Sequence, residues 1–158
     1  MKDTNSLSVY FSTRQPALDS VSPIKHTWVP SLVRIATISW CSHVAIGDEH
    51  AVLDVHLEEG TRFVPRILHD TYAQLRPQVA FHLGRRRPVD LTRYEGIGPP
   101  SWMRIVIRWL TFGLVPYSGD CLGMVKDVLE QDGIHVPRRI TTPGGLERWM
   151  NRKAFLRG

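Results

Sequence analysis

Ser42-His43-Val44-Ala45-Ile46-Gly47-Asp48-Glu49-His50-Ala51-Val52-Leu53-Asp54-Val55-His56-Leu57 reads as two short strands about a polar turn. Ser42 to Ile46 is the first strand, and Gly47 to His50 is rich in turn-forming residues. In Ala51 to Leu57, side chains alternate between faces. Val52, Asp54 and His56 therefore share one face, and Leu53, Val55 and Leu57 the other. Glu58-Glu59-Gly60 makes a second turn, and Thr61 to Pro65 a third strand, which completes a β-meander. His43 stands out, because a strand carrying Val44, Ala45 and Ile46 should be central and buried.

Working outward, Ser6 to Ser12 reads as a strand, with Leu7, Val9 and Phe11 alternating against Ser8 and Tyr10. Gln78 to Leu83 is a further strand. Ser20 to Pro30 reads as a loop and Ser31 to Ser39 as a short helix. Pro100 to Phe112 has the pattern of an amphipathic helix, with Pro100 suited to its first turn and Gly113 to its end. Its stripe of Trp102, Ile105, Val106, Trp109 and Leu110 reads as core rather than as a membrane contact through Trp102–Val115. Ser118 or Asp120 can cap the next helix, which runs to about Gln131 and stops at Asp132-Gly133. Thr142 and Pro143 open a last helix carrying Leu146 and Trp149. Strands come early and helices late, which predicts an α+β fold: a small antiparallel sheet packed against the helix bearing Cys121.

The chain of 158 residues suits a single domain spanning 1–158. Lys and Arg number 20 against 15 Asp and Glu, a balance that favours anionic partners. Arg85-Arg86-Arg87 lacks interleaved aromatics, so no specific nucleic-acid site is expected. Met1 to Pro16 lacks a basic start followed by an apolar core, so synthesis in the cytoplasm without a signal peptide is expected. Cys41 and Cys121 make no disulfide framework. The histidines show no paired metal-ligand spacing, and no metal or cofactor is expected.

Gly119-Asp120-Cys121-Leu122-Gly123-Met124-Val125 places a thiol in the first turn of a helix, where unpaired N–H groups and the helix dipole favour a thiolate. His43 is the candidate base. A third group must orient its ring, and Asp54 or His56 on the next strand can do so. Asp54 is the better choice electrostatically, since a carboxylate stabilises the imidazolium that forms.

These segments resemble the NlpC-like superfamily of papain-fold cysteine hydrolases. Gly119 to Leu129 is similar to the helix that bears the nucleophile there, with Leu122 where a serine is usual. Tyr117 resembles the tyrosine before that nucleophile. In this chain the histidine strand precedes the cysteine helix, which resembles the circularly permuted branch containing lecithin retinol acyltransferase-like enzymes and bacterial and bacteriophage proteins. Ser42 to Ile46, Ala51 to Val55 and the turn at Gly60 follow that branch's order. The resemblance implies a permuted papain-like fold and a Cys121-His43-Asp54 thioester mechanism, with His56 as the alternative third residue. It sets Tyr117 and Asp120 beside substrate or oxyanion. It implies cleavage of an amide in a peptidoglycan peptide. Alternatives are acyl transfer or thioester cleavage on lipid by the same residues, and a non-catalytic bacteriophage virion or tail component that keeps the fold. The compact size resembles a bacteriophage-encoded member, with virion association as a corollary.

Overall fold

The computed structural model describes residues 6–12, 41, 43–56, 60–73, 78–84, 90–115, 117 and 119–155. The expected loop at Ser20 to Pro30, the helix at Ser31 to Ser39 and the basic run Arg85 to Arg87 lie outside the described residues. Five strands form one antiparallel sheet: β1 Ser6–Ser12, β2 His43–Gly47, β3 Ala51–His56, β4 Gly60–Pro65 and β5 Gln78–Gly84. Their spatial order is β4-β3-β2-β1-β5, so β2 to β4 form the meander and β1 lies between β2 and β5. Among the described residues, four α-helices accompany the sheet: α1 Arg66–Ala73, α2 Trp102–Leu110, α3 Cys121–Gln131 and α4 Pro143–Phe155. The α+β expectation is met, with a small antiparallel sheet against the Cys121 helix.

One face of the sheet carries the main core. Leu7, Val9 and Phe11 from β1, Val44 and Ile46 from β2, and Leu53 and Val55 from β3 meet Leu122, Val125, Val128 and Leu129 of α3. Leu146 and Met150 of α4 close the same cluster. Each fully buried Val, Leu, Ile or Phe contributes about 1.5–3 kcal/mol relative to exposure. The other face of β1 to β3 is buried as well, through a smaller cluster of Tyr10, Ala45 and Val52. Tyr10 stacks at a tilt on His69 of α1, with ring centroids 4.7 Å apart, and Arg66 lies over the same ring. That helix explains why Tyr10, which alternates with the apolar positions, is also buried, and Ser8 on the same face hydrogen-bonds His82 at 2.9 Å.

Two edges of the meander are tightly built. Asp48 accepts from the backbone N–H groups of His50 and Ala51, closing the β2–β3 turn. Gly60 has φ of +85°, and a Cβ there would stand 2.1 Å from the Ile97 carbonyl. Thr61 donates its N–H to that same carbonyl at 2.7 Å, so the segment around Ile97 runs along β4. Tyr94 and Arg93 anchor this segment to α3 through the Asp127 carboxylate.

The hydropathy pattern of α2 misleads. Met103, Val106, Ile107 and Leu110 face outward, whereas Ile105 and Arg108 are buried. The expected core stripe of this helix is therefore corrected: Val106 and Leu110 lie outside the core. The inward face is fixed by a polar anchor, because the Arg108 guanidinium meets the Asp120 carboxylate. Arg66–Ala73 is a helix that periodicity gave no sign of. Among its described side chains His69 is buried, while Ile67 and Leu68 are exposed.

Candidate active site

The start of α3 is set by its cap. Asp120 has extended backbone and accepts from the Gly123 N–H at 2.9 Å, while its carbonyl takes the Met124 N–H. An N-terminal cap of this kind satisfies one of the first-turn donors and typically contributes ~1 kcal/mol. It fixes Cys121 as the first helical residue, in the turn where peptide N–H groups have no intrahelical acceptor. Cys121 is half-buried and Cys41 is buried, and neither is in a disulfide.

His43 opens β2, which packs on α3. Its Nε2 lies 2.5 Å from Oδ1 of Asp54, and both side chains are buried. The Cys121 side chain lies close enough to the same imidazole to act on it electrostatically. Since Asp54 takes Nε2, Nδ1 is the ring nitrogen left for the thiol. The register explains the meeting with Asp54. Ile46 pairs with Leu53 and Gly47 with Val52, so the odd residues of β2 share a face with the even residues of β3. The β3 position of His56 is described, and its side chain lies outside the described residues.

Burial works against a charged His43 ring and is the largest influence on it. The Asp54 carboxylate, by charge and by hydrogen bond, and then Cys121, more than offset burial and raise the ring to about 10 from its usual 6.5. A carboxylate at hydrogen-bond distance favours the imidazolium strongly in a buried place. His69 behaves oppositely. Burial, its largest influence, lowers it, although Asp54 and Asp70 pull upward. Asp54 thus acts on two buried histidines. His69 was invisible in the sequence because the eight-residue helix carrying it turns Ile67 and Leu68 outward. Its one local sign was the Arg66–Asp70 pair, four residues apart and joined at 3.1 Å.

Tyr117 and Asp120 are both held by groups of the fold. The Tyr117 hydroxyl accepts the Ser101 N–H at 2.7 Å, and its ring lies against Gly119. Asp120 forms a two-point pair with Arg108, at 2.7 Å and 2.6 Å. Arg108 also donates to the Tyr117 carbonyl at 3.2 Å. Both oxygens of Asp120 are therefore engaged inside the protein, and its position bears on Cys121 through the helix start. Arg108 is the residue sequence reasoning missed here, because an arginine amid Ile105, Ile107 and Trp109 reads as the polar side of an amphipathic helix.

The chemistry open to this arrangement is that of a thiol, an imidazole and a carboxylate in series. Among the described residues, no group of three His, Cys, Asp or Glu side chains is placed to hold a metal ion. No helix among them is long and apolar enough to cross a membrane. Compared with known proteins, the chain matches no family model, no curated protein and no solved structure.

Proposed function

We propose that this protein is a thiol-dependent hydrolase with a permuted papain-like arrangement, in which Cys121 is the nucleophile, His43 the acid–base and Asp54 the group that orients His43. The observation that carries the reading is one buried imidazole that Asp54 holds at 2.5 Å and that the Cys121 side chain also influences. Cys121 attacks an amide carbonyl as the thiolate, with its proton on His43. First-turn N–H groups of α3 receive the developing oxyanion. His43 passes its proton to the departing amine and leaves a thioester. Water then attacks the thioester while His43 takes the water's proton, and Cys121 is released. The order of the histidine strand and the cysteine helix, together with the motifs around them, favours the NlpC-like superfamily. It favours an amide of a peptidoglycan peptide as substrate. The basic surface suits an anionic wall polymer.

The test is the rate of iodoacetamide labelling of Cys121 against pH, beside turnover of a peptidoglycan fragment. Cys121→Ala is expected to abolish turnover with the fold intact. His43→Ala is expected to slow labelling near pH 7 and to cut turnover by roughly 10²–10⁴-fold. A labelling profile unchanged by His43→Ala defeats the dyad. A changed profile without turnover on muropeptides moves the substrate to lipid acyl groups, and no turnover on either leaves a binding or virion role for the fold.

A further inference from the structure

Between Glu95 and Asp120 the chain has no carboxylate, and its charged residues are Arg104 and Arg108. Between Asp132 and Glu147 it again has none, and carries His135, Arg138 and Arg139. The structure packs these two acid-free stretches together. The Trp109 indole N–H donates to the Thr141 carbonyl at 2.9 Å. A Cβ on Gly113 would stand 2.2 Å from the Arg138 carbonyl, so the turn after α2 lies against Arg138.

On this surface the apolar side chains point outward. Met103 and Leu110 are each 74% exposed, and Phe112 and Leu114 each 78%. The turn that bears the last two is fixed by hydrogen bonds. Gly113 donates its N–H to the Arg108 carbonyl at 2.9 Å, and Leu114 donates to that of Thr111 at 3.0 Å. Phe112 is held at φ of +49°, a left-handed conformation that a bulky side chain rarely adopts. The fold therefore bears backbone strain in order to display an aromatic ring to the outside. Exposed apolar clusters of this kind, beside exposed basic side chains, mark contact surfaces.

We propose that the outward face of α2 and the Phe112–Val115 turn dock on an anionic lipid surface, with Phe112, Leu114 and Leu110 entering the headgroup boundary and Arg104, Arg138 and Arg139 meeting lipid phosphates. Charge complementarity selects this occupant. A second copy on a two-fold axis would oppose these arginines with themselves, and neither acid-free stretch offers a carboxylate to relieve them. A lipid surface supplies both a negative layer and an apolar layer beneath it. The docking face is coupled to the nucleophile helix, because buried Arg108 of α2 binds Asp120 at the start of α3. The proposal stands independently of the reaction at Cys121.

The test is co-sedimentation of the whole protein with vesicles of phosphatidylcholine, alone or mixed with phosphatidylglycerol. Wild type is expected to pellet with the mixed vesicles and to be released by high salt. Phe112→Asn with Leu114→Asp is expected to lose at least about ten-fold in partitioning. Asn tolerates the left-handed backbone, so this variant keeps its fold, with its melting curve as the check. Arg138→Ala with Arg139→Ala is expected to weaken binding to mixed vesicles about twenty-fold and to leave neutral vesicles unaffected. Labelling of Cys121 by iodoacetamide is expected to be unchanged in both variants, which separates this outcome from failure of the active site. Wild type remaining in the supernatant with both vesicle types overturns the proposal. So does a folded Phe112/Leu114 variant that pellets like wild type. Self-association in sedimentation velocity that these substitutions abolish, without vesicle binding, assigns the face to a second copy instead.

Discussion

His43 carries two opposed influences, and the balance is measurable. Its ring is raised to about 10 in the folded state against 6.5 ordinarily. The stability that this pairing adds is complete below about pH 6.5 and is lost as pH rises through about 10, because the unfolded chain releases the proton earlier. In Asp54→Asn the carboxylate is gone and burial, the largest influence, is left dominant. The ring should then titrate below 6.5, as read from its Hε1 resonance. Labelling of Cys121 at neutral pH should slow in the same variant, and a ring that still titrates far above 6.5 would mean another group holds its proton. The sequence made His43 and Cys121 legible, because a polar ring in an apolar strand and a thiol at a helix start are local anomalies. The choice between Asp54 and His56 was open, since both occupy one face of β3. The register sets both positions on the His43 face, and the 2.5 Å contact brings Asp54 to the ring.

α2 and α3 are joined by one buried ion pair, and the cost of breaking it is lopsided. Arg108→Ala leaves Asp120 buried without its partner, which typically costs about 3–5 kcal/mol. Urea unfolding should show that loss as a lower midpoint. Asp120→Asn keeps an acceptor for the Gly123 N–H, whereas Asp120→Ala removes cap and pair together. The alanine variant should be less stable by about a further 1 kcal/mol, measured in the same urea series. Equal midpoints for the two would show that the cap contributes nothing. At this scale the sequence was legible where periodicity and terminators agree. The strands Ser6–Ser12 and Gln78–Gly84 follow their alternation, and α3 ends where Gly133 adopts φ of +86°. It was illegible where a helix is anchored by polar side chains. Apolar periodicity places the apolar face of α2 inward, and the Arg108–Asp120 pair turns it out.

Across the described residues, one main cluster joins three strands to α3 and α4, and β2 is the middle strand of the sheet. Phe11 lies in that cluster, packed edge-on against Phe81 at 5.6 Å between centroids. Phe11→Ala should cost about 3–5 kcal/mol and shift a single cooperative transition without splitting it, as followed by circular dichroism and tryptophan fluorescence together. Separate transitions by the two probes would mean that the sheet and the late helices unfold as distinct units. The overall class was readable from the order of elements. The burial of both sheet faces was not, because it depends on the short helix α1 and its His69–Tyr10 contact. The unequal burial of the two thiols also has a consequence for the life of the protein under oxidative stress. Cys41 is sealed in the core, while Cys121 is half-buried at the start of α3. Peroxide should therefore convert one sulfur atom to the sulfenic acid and spare the other, silencing the protein without unfolding it. A dithiol reductant should restore it until further oxidation to the sulfinic acid makes the loss permanent, and intact-mass spectra across a peroxide series would resolve the two stages.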